Sequence, residues 1–214
     1  ISLPPWNPPN WKLYWFQDFY WFYSTEGYLV VGGKNKEQNE LIVKKYMEKD
    51  DIYLHSIYGK SPSTLIKKVG KEPPIRTLLQ AANYVTSRSS AWKEGSGDKV
   101  FWVYPNQVSK TAPSGQFVQA GSFIISGERN FIKADLSLGM ALVFREKGNP
   151  PECFKSRPET EEVLPTFIVG PIRSLEDYYF FQRIKQGNKK RGKMVRKVID
   201  RWKSKLKSNL EKRI

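Results

Sequence analysis

The residues with the clearest chemical use lie between Lys99 and Gly127, where KVFWVYPNQVSKTAPSGQFVQAGSFIISG carries no acid and only two charges, Lys99 and Lys110. Lys110, Thr111 and Ser114, with the N–H groups freed at the Ser114-Gly115 turn, are donors that hold phosphate oxygens without reading base identity. The plainer alternative is a self-satisfied surface turn ordered by Pro113 and Gly115. Lys44 and Lys45 form a second candidate contact, set against the reading of a solvated helix face. Trp21, Phe22, Trp92 and Trp102 have ring faces on which unpaired bases could stack. Core packing is the expectation for most of them, because strand aromatics bury one face; Trp92, at a helix end beside Gly95 and Gly97, is the one expected to be exposed.

Catalytic and metal chemistry find no comparable support. Gly59-Lys60-Ser61 has the ending of a phosphate-binding P-loop, but Leu54 stands where that loop needs glycine. His55 has no neighbouring ligand set and reads as a packed strand residue, and Asp50-Asp51 reads as a helix-to-strand turn. One cysteine, Cys153, excludes an internal disulfide framework, and with a single histidine it excludes an ordinary structural zinc site. No catalytic residue, metal or cofactor is expected.

The chain that must position these residues has 214 of them, consistent with one main domain plus an appendage. Apolar residues at 39%, with 14% aromatic, suffice for a core and argue against a wholly disordered chain. A formal charge of +15 and a pI near 9.8 predict a polyanionic partner whose hold weakens with salt. No apolar run approaches the roughly 18 to 20 residues that span a bilayer, so no stable membrane insertion is expected. Ile1 opens a Pro/Trp-rich segment, residues 1–14, without methionine, which leads us to expect a longer polypeptide.

Residues 14–33 read as an aromatic hairpin turning at Thr25-Glu26-Gly27. A helix capped by Asn35 and Gln38 follows, with Ile42/Tyr46 and Val43/Met47 at helical spacing and Lys44 and Lys45 outward. Strands are expected at 51–57 and 63–69, then a helix whose apolar face is Ile75, Leu78, Leu79, Ala82, Val85 and Trp92. KVFWVY, GSFIIS and LGMALVF are further strands, the last closing the module. Residues 146–166, rich in Pro and Glu, read as a linker. Beyond it GNKKRGK (187–193) precedes a basic helix with an apolar stripe of Val195, Val198, Ile199, Trp202, Leu206 and Leu210. That tail is open to three readings: RNA contact, association with an anionic membrane surface, or docking on the folded module. The expected fold class is α+β, a mixed, mainly antiparallel sheet with packed helices, followed by a basic helical C-terminal extension.

Trp21-Phe22, the run STEGYLVVGGKNKEQNELIVKKYMEKDDIYLH, and QVSKTAPSGQFVQAGSF followed by Asn130-Phe131 resemble, in the same order, the NFACT-R domain. That domain is the RNA-binding module of ribosome quality-control factors of the nuclear export mediator factor/RqcH family. The resemblance covers residues 15–145, and Gly170-Pro171, Leu175, Tyr178, Phe180 and Gly187 through Lys193 make 167–214 similar to the NFACT-C segment. It implies a non-enzymatic module that binds tRNA and ribosomal RNA on an obstructed large ribosomal subunit. In the larger protein it would support untemplated C-terminal tailing of the nascent chain and recruitment of a ubiquitin ligase. The implied location is cytoplasmic and ribosome-associated, with nuclear shuttling compatible. The candidate RNA-contacting set is Lys44, Lys45, Trp92, Ser109, Lys110, Thr111, Ser114, Arg129, Lys189, Lys190, Arg191 and Lys193. Two departures stand out: Ile57, Tyr58 and Gly59 replace an Asp and a second His after His55, and Phe181-Gln182 replace a basic-apolar pair. The rival functions are a polyanion or membrane-surface adaptor and an RNA-processing enzyme, which would need a pocket of clustered titratable groups.

Overall fold

The computed structural model describes residues 14–57, 60–70, 72, 74–111, 118–146, 163–176, 180–184 and 191–211. The segment 1–13, Gly59, Pro113 to Gly115, Cys153, Lys189 and Lys190 lie outside the described residues.

The aromatic opening divides into two elements. Trp15–Asp18 is a 3₁₀ turn, where an extended strand was expected, and its Phe16 is buried; Gln17 closes it by accepting the Tyr14 N–H at 2.9 Å. Strands β1 (Tyr20–Tyr23) and β2 (Leu29–Gly32) then form the hairpin, with Gly27 at φ 82° taking the left-handed position that a side chain would strain. Helix α1 (Lys36–Leu41) starts at Asn35, whose side chain accepts the Gln38 N–H at 2.8 Å. The helix continues as a π turn, Ile42–Tyr46, which puts Ile42 into the core and leaves Lys44 and Lys45 exposed.

Strands β3 (Ile52–Ser56) and β4 (Thr64–Ile66) follow, then helix α2 (Ile75–Arg88), the short α3 (Ala91–Glu94) and β5 (Asp98–Val103). The Glu26 carboxylate in the first hairpin turn accepts the Thr77 N–H at 2.9 Å and its hydroxyl at 2.7 Å. A negative charge thereby sits at the N-terminal end of α2, where unpaired N–H groups favour it. Ile75 and Leu79, assigned from spacing to the apolar face of α2, are exposed instead. They sit a turn apart at the start of the helix, while Leu78, Ala81, Ala82 and Val85 make the buried stripe.

After β6 (Val108–Ser109), β7 (Ile124–Ile125) and β8 (Asn130–Ala134), the main sheet is complete in the order β1-β2-β4-β3-β5-β8, antiparallel throughout. Side chains alternate between its faces. One face, with Phe22, Val30, Leu54 and Val100, packs on α2; the other, with Trp21, Val31, Tyr53, Phe101 and Val103, packs on the 3₁₀ turn and Ile42.

LGMALVF does not close the module. It belongs to β9 (Leu138–Glu146), the middle strand of a second sheet between β10 (Val163–Gly170) and β11 (Phe180–Ile184). The pairing runs from Val163 with Glu146 to Gly170 with Gly139, so strand structure enters both ends of the segment read as a linker. The Phe181 ring lies over Gly139, where an added Cβ would come within 2.5 Å of it; this explains why glycine suits that position. After α4 (Ile172–Leu175), helix α5 (Arg191–Glu211) buries Val198 and Trp202 in the same cluster as α2 and the first sheet. The basic tail therefore docks on the module. No helix among the described residues is long and apolar enough to cross a membrane.

Candidate nucleic-acid interface

The acid-free segment is held in place by one carboxylate from outside it. Glu40, in the last turn of α1, accepts from the Lys110 ammonium at 2.8 Å and from the Gly121 N–H at 3.0 Å through one oxygen. Its other oxygen accepts from Lys44, one turn on, at 3.0 Å. Lys110 also donates to the Gln119 and Ser122 carbonyls, at 2.8 and 3.1 Å. Three donors around one carboxylate, the Lys110 hydrogen bond first and the Gly121 N–H second, hold Glu40 down to about 2 from its ordinary 4.5. Gly121, at φ 78°, brings its backbone against Lys36, where an added Cβ would meet the Lys36 Cα and Cβ at 3.0 Å.

This geometry changes the expectation for Lys110. Its ammonium is committed to three protein oxygens, so it organises the loop where a free phosphate donor was expected. Beside it, the Ser109 hydroxyl accepts the Thr111 N–H at 2.9 Å, a local turn bond of the kind serine forms with its own backbone, and Thr111 is exposed. Lys45 is exposed with its ammonium 5.2 Å from the Tyr46 ring centroid; Tyr46 is stacked on Trp15 at 4.1 Å and 12°. Lys45 shares the rim of a cleft with Tyr23, Tyr28 and Lys68.

An aromatic row continues from this clasp across the sheet. Lys110 lies 5.4 Å from the Phe123 ring, Phe123 meets Tyr53 at 6.3 Å, Tyr53 meets Phe101 at 6.3 Å, and the Arg129 guanidinium stands 5.0 Å from the Phe101 ring. Lys44, Lys45, Ser109, Lys110, Thr111 and Arg129 therefore belong to one side of the main sheet. Burial pushes the Tyr53 hydroxyl up to about 12, against the opposing hydrogen bond with Ser63. Burial likewise pushes His55 below its ordinary value; its Nδ1 is hydrogen-bonded to the Ser56 carbonyl at 2.7 Å.

The remaining candidates do not join this surface. Trp92 is 3% exposed inside the cluster on the opposite face, so it offers no stacking surface. The α3 turn directs it inward with Ala91 and leaves Lys93 and Glu94 outside. Trp21 and Phe22 are buried as core aromatics, and Trp102 packs edge-on against Tyr104 at 5.7 Å. Lys193 is exposed on α5, on the α2 side; Arg191 opens the same helix, and Ser114, Lys189 and Lys190 fall among the residues not described. Among the described residues no group of three His, Cys, Asp or Glu is arranged to hold a metal ion.

Sequence reasoning missed Glu40. Its spacing to Lys44 was readable as a helical pair, but its bond to Lys110 spans 70 residues and has no local signal. It also missed Phe131, 58% exposed on an edge strand.

The profile of the NFACT protein RNA binding domain matches residues 18–127, which hold β1 to β5 of the main sheet, α1 and its π turn, α2, α3, and the clasped loop with β6 and β7. The chain belongs to the NFACT-R family. The NFACT-R match ends before β8, so β8, the second sheet and α5 lie outside the matched residues. Relatives include the ribosome quality control complex subunit NEMF homolog of Drosophila melanogaster, 46% identical over 63% of this chain and 14% of its own length. The human ribosome quality control complex subunit NEMF is 43% identical over 63% of this chain and 13% of its own. The archaeal Rqc2 homolog aRqcH of Methanocaldococcus jannaschii is 35% identical over 88% of this chain and 26% of its own. The chain thus spans between about an eighth and a quarter of these relatives. The aRqcH similarity extends beyond the NFACT-R match into the C-terminal region.

Proposed function

We propose that this chain is the non-enzymatic RNA-binding part of a ribosome-associated quality-control factor acting in the cytoplasm. It binds tRNA and ribosomal RNA on the obstructed large ribosomal subunit. In the larger protein it supports C-terminal tailing of the nascent chain and recruitment of a ubiquitin ligase. The observation that carries this reading is the RNA-binding family match over residues 18–127 in a chain of net charge +15. The clasp supports it, because Glu40 spends its charge on Lys110 and Lys44 and on ordering the loop, while Lys45 and Thr111, next in the chain to Lys44 and Lys110, are exposed, as is Arg129 at the far end of the aromatic row. Phosphate contact falls to Lys45, Thr111, Arg129 and the loop N–H groups, with Lys110 as the residue that positions them. Ser114, Lys189, Lys190, Arg191 and Lys193 extend the same role into the loop tip and tail.

The test is binding of the 214-residue chain to tRNA and to purified large ribosomal subunits across a salt series. The expected result is an affinity that falls linearly on a log-log plot, with a slope set by the number of phosphates neutralised. Equal or tighter binding to anionic liposomes at physiological salt would overturn it in favour of a membrane-surface adaptor.

A further inference from the structure

We propose that the open end of the main sheet, where Phe131 stands among Lys99, Lys133 and Arg129, is a stacking seat for an unpaired base of single-stranded RNA. The strand register builds it. In the β5–β8 pair, Phe101 lies opposite Phe131 and Lys99 opposite Lys133; in the β3–β5 pair, His55 lies opposite Phe101. Alternation along each strand puts these five side chains on one face, with a lysine about 6.7 Å along the strand from each phenylalanine. The row grades from inside to outside: the His55 ring packs on Phe101 at 6.0 Å, Phe101 is buried, and Phe131 is more than half exposed. Lys99, Lys133 and Arg129 are all exposed around it. The 3₁₀ turn, Ile42 and the β6–β7 hairpin pack over the same face at Trp21, Val31, Tyr53 and Val103, which leaves the β8 end open.

Charge decides the kind of occupant. The positions of this face in β3, β5 and β8 are Tyr53, His55, Lys99, Phe101, Val103, Phe131 and Lys133, none of them acidic; of the acids nearby, Glu128 lies in the turn before Arg129 and Asp135 lies past the end of β8, beside Gly97 and on the far side of Lys133 from Phe131. An aromatic face rimmed by cations suits a base with its two phosphates, since every base has a π-face and the cations hold its backbone. Lysines on an edge strand also discourage strand-to-strand pairing between chains, and that role alone would need no exposed ring beside them.

This inference rests on the RNA-binding reading above, and the experiment separates the two. Anisotropy titrations use the 214-residue chain with a labelled unstructured RNA and, in parallel, a labelled RNA duplex. Quenching of a 2-aminopurine base in the single strand is followed on the unsubstituted chain. Phe131→Leu keeps the apolar bulk and removes the π-face, so folding is preserved. The expected result is about tenfold weaker single-strand binding with an unchanged salt slope, unchanged duplex binding, lost quenching, and recovery with Phe131→Tyr. Equal single-strand affinity for Phe131→Leu and the parent, or no quenching with the parent, overturns the stacking seat while leaving RNA binding intact. An RNA-free dimer that Phe131→Lys dissociates overturns it in favour of edge pairing. Failure of the parent to bind any RNA overturns both readings.

Discussion

Two lysine-carboxylate centres sit on opposite sides of the same π turn, and burial gives them opposite work. Lys67 and Asp51 meet at 2.5 Å inside the protein, 8% and 0% exposed, and Lys67 also donates to the Tyr46 carbonyl. Asp51 accepts the Glu48 and Lys68 N–H groups at 2.8 and 2.9 Å, so every oxygen of this buried charge is satisfied. Lys110 and Glu40 meet at 2.8 Å where 28% and 24% of their side chains remain open to water. The first centre ties the chain ends around β3 and β4 together. The second holds a loop against a helix across a surface that water and ligands reach. An ion pair in the interior is costly to break, whereas one in solvent is weak on its own and acts through the geometry it fixes.

The largest expected effect breaks the buried centre. Asp51→Ala takes the buried carboxylate from Lys67, which keeps only the Tyr46 carbonyl and the exposed Glu48 carboxylate at 3.3 Å, and leaves two N–H groups without their acceptor; it should cost about 3 kcal/mol in urea unfolding. The RNA-binding salt slope of the protein that remains folded should be unchanged. A loss below about 1 kcal/mol would mean that water replaces the carboxylate and that the two centres do not differ in kind. Asp51→Asn with Lys67→Met sharpens the point, because it removes both charges but keeps an acceptor, and should recover most of the loss.

Next comes the exposed clasp. Lys110→Ala removes the donor shared by Glu40, Gln119 and Ser122, so amide exchange at Gly121 and Ser122 should quicken by an order of magnitude or more while global unfolding barely moves. RNA affinity should fall several-fold with an unchanged salt slope, since Lys110 touches no phosphate in this arrangement. A slope lowered by about one unit would restore Lys110 as a direct phosphate contact. Gly121→Ala should open the same loop by a different route, through its positive φ and the approach of Lys36.

The contrast between the two centres also marks what sequence could and could not say. The Asn35 cap, the first hairpin, the strand β5 and the part of the α5 stripe formed by Val195, Val198, Ile199 and Trp202 follow from local spacing, and the structure has each of them. The burial of Trp92 and the partners of Lys110 were not legible in the sequence for a common reason: a side chain's freedom is decided by residues far away in the chain. Trp92 meets a core assembled from α2, β9 and α5; Lys110 meets a carboxylate 70 residues earlier. The two ends of the segment read as a linker were hidden similarly, because the pairing of Val163 with Glu146 is non-local and both flanks are rich in residues that favour turns.

A smaller effect is the pH response of the clasp. Glu40 is held at about 2 when the loop is closed and reverts toward 4.5 when it opens. Closure is therefore at full strength above the higher value and is lost as pH falls through the lower one. The Gly121 amide resonance should titrate with a midpoint near 2 in the parent, moving up toward 4.5 in Lys110→Ala. A parent midpoint already near 4.5 would show that the three donors do not act on Glu40 together.

The smallest expected change is Lys45→Ala. Unlike Lys44, it has no carboxylate partner among the described ion pairs, and its ammonium rests near the Tyr46 ring at the rim of the cleft. Its removal should leave stability and loop exchange unmoved, weaken tRNA binding about equally for all sequences, and lower the salt slope by about one unit. The outcome separates the two kinds of lysine on this surface. Lys45 would act as charge delivered to phosphate, and Lys110 as structure that decides where the charge is delivered. If Lys45→Ala instead left the slope alone and Lys110→Ala reduced it, those roles would be exchanged, and the Glu40 clasp would have to open when RNA binds.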